Sequence, residues 1–316
     1  MLARLAGSWW LRAAITAAIL AWLSTRIDMR AAAAAIASIS PVHLAAVLGL
    51  VAIDRLVMIW RWLLLLRAAR LPISAGDAAR LFLTSSFVGS FLPAGVGGDA
   101  ARAWGLSQTT ARMGDALASV VVDRMLGVLS LAAMGAAGLA AWAPDGVDPL
   151  RIVAAVSVLG VACLAAFWGD SLLRWALPAR HHSGPVARRL LRLADAVAHY
   201  RGHRAALAHV MAWSLVVQVL RIWQAYLLGL GLGVTVPFAY YLLVMPLGLL
   251  TLLLPISVSG FGVPQGVIVW LLRPVGVDDA TAFALSTLIV LSGLAGNLPG
   301  LVLWLRRSGP PAGGSR

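Results

Sequence analysis

One stretch in the first third of the chain constrains the fold more than any other, because it interrupts an apolar run with helix-breaking residues. Residues 91–102 read Phe-Leu-Pro-Ala-Gly-Val-Gly-Gly-Asp-Ala-Ala-Arg. The helix breakers in it are Pro93, Gly95, Gly97 and Gly98. Proline removes a backbone donor and glycine weakens a helix, and within a membrane such backbone is tolerated only where protein or water satisfies it. The stretch therefore predicts a re-entrant or discontinuous element that faces the protein interior.

A second stretch of the same kind lies late in the chain, at residues 253–266. It reads Leu-Leu-Pro-Ile-Ser-Val-Ser-Gly-Phe-Gly-Val-Pro-Gln-Gly, with Pro255, Gly260 and Gly262 as its helix breakers. Interrupted apolar segments at corresponding positions of two halves point to the midplane site of a transporter built from repeats. The pair of stretches therefore favours a possible inverted repeat, with these prolines and glycines shaping the backbone at its centre.

The composition indicates an all-α, polytopic integral membrane protein. Of 316 residues, 61% are hydrophobic and only 12% are charged, which is far too apolar for a soluble domain. All 25 basic residues are Arg and all 12 acidic residues are Asp, giving a net charge of +13. Nucleic acid is excluded as a partner, because the arginines are spread through apolar spans and their borders rather than gathered in a basic domain.

Hydropathy predicts about eight transmembrane helices, with the two broken elements counted as one or two crossings each. The first, at residues 9–27, is expected to be a retained helix, because no clear cleavage site of a signal peptide follows it. The other unbroken spans are predicted at residues 41–66, 116–142, 150–168, 205–231 and 280–305.

Arginine density predicts the topology. Residues 170–204 are strongly basic and are expected to be cytoplasmic, whereas the turn at 143–149 has no basic residue and is expected to lie outside. Both termini then lie in the cytoplasm, with the protein in the cell inner membrane. The chain is interpreted as a single domain, 1–308, with halves at about 1–169 and 205–308 and a disordered tail at 309–316. Residues 186–200 are predicted to form an amphipathic helix on the anionic leaflet surface.

No metal site or cofactor is predicted. His199 and His203 have the i, i+4 spacing of metal ligands, but no acid or cysteine completes the set, which favours a solvated basic helix. Cys163 lies alone in an apolar run and is expected to pack there. The glycines at 95–98 lack the Gly-Lys-Ser/Thr of a nucleotide-binding loop, so any transport is expected to be passive or ion-coupled.

Charged residues within the predicted spans are candidates for function, since each costs about 2.5–3.5 kcal/mol at the membrane centre. The second span carries Asp54, Arg55 and Arg61. Adjacent residues on a helix point about 100° apart, so Asp54 and Arg55 are each expected to find a partner on another helix. Asp123 and Arg124 repeat the Asp-Arg order and could cross-pair with them. The alternative is that these charges only neutralise one another and fix helix register.

Two further patterns add polar candidates. Residues 76–80 and 98–102 share the sequence Gly-Asp-Ala-Ala-Arg, typical either of two helix starts or, in the second copy, of an anion cradle. Gln218, Arg221 and Gln224 are spaced three apart and share one helix face. The predicted residues along a substrate path are Asp54, Arg55, Arg61, Asp99, Arg102, Asp123, Arg124, Gln218, Arg221 and Gln265. No catalytic residue is predicted.

Three motifs in order resemble those of a known family. They are Leu92-Pro93 with Gly97-Gly98-Asp99 and Arg102, then Ala118-Ser-Val-Val-Val-Asp-Arg124, then Leu254-Pro-Ile-Ser257 with Gly260-Phe-Gly262. Together they resemble the transmembrane, flippase-like region of lysylphosphatidylglycerol synthases, which has stand-alone members, including hopanoid-associated ones. The chain departs from that family by having Pro264-Gln265 where Arg-Glu is common.

The leading functional interpretation is a non-enzymatic lipid flippase, or translocase, in which intramembrane arginines hold an anionic headgroup. The lipid class follows from the resemblance; the residues themselves indicate only an Arg-rich polar interior beside broken helices. One alternative is a lipid-modifying transferase, although the longest polar segment, about 35 residues, is short for a catalytic domain. Another is a scaffold, or partner, for a separate lipid-synthesis enzyme. Phospholipid, polyprenyl-phosphate and hopanoid substrates all stay open, as do direction, energy source and oligomeric state.

Overall fold

The computed structural model of the chain describes residues 25–91, 96–142, 184–251 and 262–307, together with residue 21 and isolated positions between 150 and 174. Most of the predicted first span, the 143–149 turn and the C-terminal tail lie outside the described residues. So do Pro93, Gly95, Pro255 and Gly260. Among the described residues there is no β-strand, and the prediction of an all-α protein is confirmed.

The helices follow one another with short connections. They are α1 (Met29–Ala37), α2 (Pro41–Ala68), α3 (Ala75–Phe91), α4 (Val96–Thr110), α5 (Met113–Ala141), α6 (Pro185–His199), α7 (Arg204–Gly231), α8 (Phe238–Leu250), α9 (Val263–Leu272), α10 (Asp279–Ala295) and α11 (Leu298–Arg307). Single 3₁₀ turns at Tyr200–Gly202 and Arg273–Val275 follow α6 and α9.

Four segments of the described residues are long and apolar enough to cross a membrane. They are α2, α5, α7 and the combined run Asp279–Arg306, which covers α10 and nearly all of α11. Local signals explain where several helices begin. Asp28 accepts hydrogen bonds from the N–H groups of Arg30 and Ala31 at the start of α1, and Asp278 accepts one from Thr281 at the start of α10. Pro41 begins α2, where its missing N–H costs nothing.

The first broken stretch forms a hairpin of two short helices, α3 and α4. At 1.5 Å per residue they are about 25 and 22 Å long, less than the ~30 Å hydrocarbon core. They pack with Gly89 against Gly98, where an added Cβ on Gly98 would lie 3.0 Å from the Ser85 carbonyl oxygen. An added Cβ on Gly105 would lie 2.5 Å from Leu81 Cδ1, so the two helices run antiparallel. This hairpin is the predicted discontinuous element, and its glycines allow the close approach of the backbones.

The second broken stretch forms a similar hairpin, α8 with α9. The Tyr240 hydroxyl donates a hydrogen bond to the Leu271 carbonyl at 2.5 Å, and an added Cβ on Gly248 would lie 3.2 Å from Ile268. These contacts show that the helices are antiparallel. α8 packs closely on α5, because Gly138 presents no side chain to the backbone of Leu242.

The two hairpins enter the helix bundle from opposite ends. At one end, the Tyr200 hydroxyl donates to the Leu65 carbonyl at 3.3 Å, which joins the segment after α6 to the end of α2. We call this the arginine-rich end: near it lie Arg67, Arg70, Arg80, Arg112, Arg188, Arg192, Arg201 and Arg204. α3 follows α2 directly and so starts there. At the opposite end Trp142 contacts Tyr240, which places the start of α8 beside the end of α5. The hairpins thus have the antiparallel relation of an inverted repeat, while the division into two halves stays a prediction.

Helix α6 confirms the predicted amphipathic helix within one residue of each boundary. Its apolar side does not face outward as expected for a helix on the leaflet surface. Leu191 and Val197 are buried with Tyr200 where α6 packs on α5. The apolar periodicity of residues 186–200 places Leu190 on that side as well, but Leu190 is exposed. His203 Nδ1 lies 3.3 Å from the His199 carbonyl oxygen, and the described residues hold no cluster of three metal-binding side chains.

Labelling of single cysteines tests the predicted topology. In a Cys163→Ser background, Thr235→Cys is expected to react with an impermeant maleimide added to intact cells, because Thr235 is exposed at the end opposite the arginine-rich end. Arg188→Cys, exposed on α6, is expected to react only after the membrane is permeabilised. The reverse pattern would invert the assignment of both ends.

Candidate functional site

A cavity of about 440 Å³ lies where described residues of both hairpins meet the long helices α2, α5 and α7. Gly89 and Gly98 reach it from the α3–α4 hairpin, and Gly248 and Pro264 reach it from the α8–α9 hairpin. Within the part of the chain that the structure describes, eight charged side chains line it: Arg55, Arg61, Arg102, Arg124, Arg221, Asp54, Asp99 and Asp123. With Gln218, these are nine of the ten residues predicted along a substrate path, and the structure places them around one cavity.

The first group of charges, the Asp123 cluster, contains Asp99, Asp123, Arg61, Arg102 and Arg124. Asp123 lies at its centre, with Oδ1 2.9 Å from Arg61 Nε and Oδ2 3.2 Å from Arg102 Nη2. Asp99 bridges Arg102, at 3.2 Å, and Arg124. Two of these arginines therefore depend on one buried carboxylate from α5.

Within the Asp123 cluster, the guanidinium of Arg102 is held from several sides. It lies 4.9 Å from the centre of the Trp62 ring and 5.2 Å from that of Phe82, in addition to its two carboxylate partners. Arg61 is similarly fixed, because its Nη1 donates to Ser214 Oγ at 3.0 Å. Cation–π contacts in a desolvated site add to ion pairing, so both arginines are rigid parts of the cavity wall.

The second group of charges, the Asp54 cluster, contains Asp54, Arg55 and Arg221. Asp54 Oδ1 accepts from Arg221 Nε at 3.1 Å, and Oδ2 lies 3.4 Å from Arg55 Nη1. Arg55 Nη2 also donates to the Gly293 carbonyl of α10 at 3.1 Å. As expected, Asp54 and Arg55 each find a partner on another helix, Arg221 on α7 and the Gly293 carbonyl on α10. They also contact each other, because the long Arg55 side chain reaches back to its neighbour.

The suggested cross-pairing between Asp54-Arg55 and Asp123-Arg124 does not occur. Asp123 pairs with Arg61, which lies two turns along α2 from Asp54, so Asp54 and Asp123 lie at different depths. Seven residues on a helix correspond to a rise of about 10 Å, which separates the two clusters along the bundle axis.

The charges that the described residues bring to the cavity do not balance. Among these residues, five arginines and three aspartates line it, which gives two more positive than negative charges, one in each cluster. Uncompensated charge inside a membrane bundle is costly, which makes an anionic occupant favourable.

The arginines differ in how far they reach into open space. The side chains of Arg124, Arg221 and Arg55 are 50%, 27% and 17% exposed, against 6% and 5% for Arg61 and Arg102. The first three are therefore the more accessible arginines of the cavity wall.

The polar face of α7 forms one wall of the cavity. Gln218, Arg221 and Gln224 all line it, so their spacing in the sequence corresponds to a continuous polar stripe. Gln218 Nε2 donates to Ser130 Oγ at 3.1 Å, which joins the stripe to α5.

The two copies of Gly-Asp-Ala-Ala-Arg differ in their surroundings. In the first, Asp77 and Arg80 form an exposed pair at 3.7 Å, beside the turn that begins α3. In the second, Asp99 lies in the first turn of α4 and pairs with Arg102, as expected of a helix start. The second copy also joins the Asp123 cluster, because α4 packs on α5.

Gln265 is the one predicted path residue that does not line the cavity. It is fully buried, and its Oε1 accepts a hydrogen bond from the Gly262 N–H at 2.6 Å, which closes the start of α9. Gly262 has φ +100°, a conformation that favours glycine, so the turn depends on both residues. Its neighbour Pro264 reaches the cavity instead.

Sequence reasoning missed Asn297, which lines the cavity between α10 and α11. Its Nδ2 donates to Ser90 Oγ at 2.8 Å, which ties the tip of the α3–α4 hairpin to the last helices. The only signal in the sequence was a lone amide in an apolar run.

Comparison with known proteins supplies the family. No curated protein matches the chain. A family profile described as the lysylphosphatidylglycerol synthase TM region matches residues 9–299, including both hairpins and both charge clusters. With this match and its apolar spanning helices, the protein is a multi-pass membrane protein that belongs to the family of lysylphosphatidylglycerol synthase transmembrane regions.

Proposed function

We propose that the protein is a lipid translocase that holds an anionic headgroup in the cavity while the hydrocarbon chains stay in the bilayer. The observation that carries this proposal is the excess of two positive charges among the described residues of a cavity that both hairpins border. A phosphate group offers oxygen acceptors that match the planar guanidinium. Its single negative charge compensates the excess positive charge of one cluster at a time.

The arrangement of the hairpins supports movement rather than static binding. One hairpin comes from the arginine-rich end and the other from the opposite end, and described residues of both border the cavity. Movement of either hairpin would open the cavity toward the end from which that hairpin enters, which is the requirement for alternating access. An anionic lipid, either phospholipid or polyprenyl phosphate, fits this cavity better than an uncharged hopanoid, because only the anion compensates the arginines.

A scaffold for a lipid-synthesis enzyme is the main competing function. A scaffold would not require buried arginines in a cavity that both hairpins border. A transferase would need a group able to attack or deprotonate; the carboxylates of the described cavity wall are each engaged by arginine.

Transport by the purified protein alone separates these functions. Liposomes that contain the protein and a fluorescent anionic phospholipid are expected to expose the inner-leaflet lipid to dithionite faster than protein-free liposomes. A matched zwitterionic lipid should move more slowly, since it leaves the cavity charge uncompensated. If the protein binds the anionic lipid, but the lipid changes leaflet at equal rates in liposomes with and without protein, the scaffold is favoured.

A further inference from the structure

The orientation of the Gln218 amide is fixed by its neighbours on α5. Ser130 Oγ donates its proton to the Gly127 carbonyl at 2.8 Å, so toward Gln218 it can only accept. Gln218 Nε2 faces this hydroxyl at 3.1 Å and the same carbonyl at 3.4 Å. Two acceptors on one side require the NH₂ group there, and a flipped amide would place two oxygens against the Gln218 oxygen.

Gln218 Oε1 is consequently left on the other side of the amide, without a hydrogen-bond partner among the described residues. The residue is only 4% exposed, and it forms part of the cavity wall. A buried acceptor without a donor costs about as much as a lost hydrogen bond, so this oxygen is expected to be satisfied by whatever occupies the cavity.

The position of this oxygen relates it to the arginine proposed to hold the phosphate. Gln218 and Arg221 lie on the same face of α7, and three residues correspond to a rise of about 4.5 Å. In a lipid headgroup, a hydrogen-bond donor that lies two carbons beyond a phosphate oxygen is at a similar distance from the phosphate. The neighbouring residue on the other side of Arg221, Gln224, also lines the cavity, and its buried Nε2 has no partner among the described residues, so it could donate to a second phosphate oxygen.

We propose that the headgroup carries a hydrogen-bond donor, a hydroxyl or an ammonium group, and that Gln218 Oε1 accepts it while Arg221 holds the phosphate. This inference rests on the proposed function and narrows it: a lipid whose phosphate bears no such donor is a poorer ligand. Gln218 then determines which headgroups bind, and it contributes little to the electrostatic attraction of the anion.

Two pairs of lipids with equal charge test the role of the donor. Phosphatidylglycerol and phosphatidylmethanol, with identical acyl chains, differ in the presence of hydroxyl donors. Phosphatidylethanolamine and phosphatidylcholine differ in the presence of N–H donors. Affinity is measured from the concentration-dependent rise in melting temperature of the detergent-solubilised protein. The wild type is expected to bind the donor-bearing member of at least one pair about tenfold more tightly, because a site built around a hydrogen bond rejects the analogue that lacks it.

The pair that shows the preference identifies the donor as hydroxyl or ammonium. Gln218→Met keeps the length of the side chain and removes the acceptor, so it is expected to abolish the preference, with both members of the pair binding equally. Gln224→Met is the matched control on the same face of α7, and it should weaken both members of a pair equally.

Two failures are distinguishable. If the wild type binds both members of each pair equally, the donor is absent and water satisfies Gln218, while the proposed function stands. If no anionic lipid raises the melting temperature, the proposed function itself fails. A preference that persists in Gln218→Met would assign the donor to another residue and overturn this inference.

Discussion

Replacing Asp123 with leucine is expected to destabilise the protein by about 3–5 kcal/mol, because it leaves buried positive charge without a partner. Asp123 is the only carboxylate that pairs with Arg61 among the described residues, and it is one of two that pair with Arg102. The loss is measured as a fall in the midpoint of unfolding in a mild detergent, or as a fall in abundance in the membrane.

Two matched variants show whether stranded charge is the cause. Asp123→Leu combined with Arg61→Met removes both members of the closest pair and leaves Arg102 with Asp99, so most of the stability should return. Asp115→Ala lies on the same helix and breaks a half-exposed pair with Arg112, which is worth at most about 1 kcal/mol. An Asp123→Leu protein as stable as Asp115→Ala would contradict the assignment of Asp123 as the centre of the cluster.

Arg124→Lys and Arg221→Lys are expected to reduce lipid transport tenfold or more without a matching loss of stability. Lysine keeps the positive charge but lacks the planar pair of donors that binds phosphate through two oxygens, so only headgroup binding suffers. The measurement is the initial rate of leaflet exchange in liposomes, set beside the unfolding midpoint of the same preparation.

Arg112→Lys provides the control for these two variants, because Arg112 is half-exposed and outside the cavity wall. It should transport at the wild-type rate. Full activity of a well-folded Arg124→Lys protein would leave Arg124 with only the role of neutralising Asp99.

The hairpins were predictable because their signals are local. A Leu-Pro step followed by several glycines strongly disfavours a continuous membrane helix, and the structure has short paired helices at both places. The boundaries of α2 and α6 follow similarly from Pro41, Pro185 and the periodicity of apolar residues. The family match extends over the same motifs.

The partners of the charges were not predictable to the same degree. Pairing depends on depth and rotation within the bundle, so the repeated Asp-Arg dipeptide suggested a symmetry that the packing does not have. Arg61, with no acid beside it in the sequence, is the closest partner of Asp123. Gln265 looked polar enough for a path, but its oxygen is used to close its own helix. Such outcomes depend on tertiary contacts that the local sequence does not encode.

The opposed hairpins also have an electrical consequence. An opened hairpin that admitted water to the charged cavity would make the insulating layer there thinner than the surrounding hydrocarbon, and the membrane potential would fall across a shorter distance. Moving a lipid with one negative charge across this layer would change its electrostatic energy by about 2.3 kcal/mol for every 100 mV of membrane potential. With the cell interior negative, that energy would favour outward movement of an anionic headgroup, so the resting potential alone could give direction to a translocase without nucleotide hydrolysis.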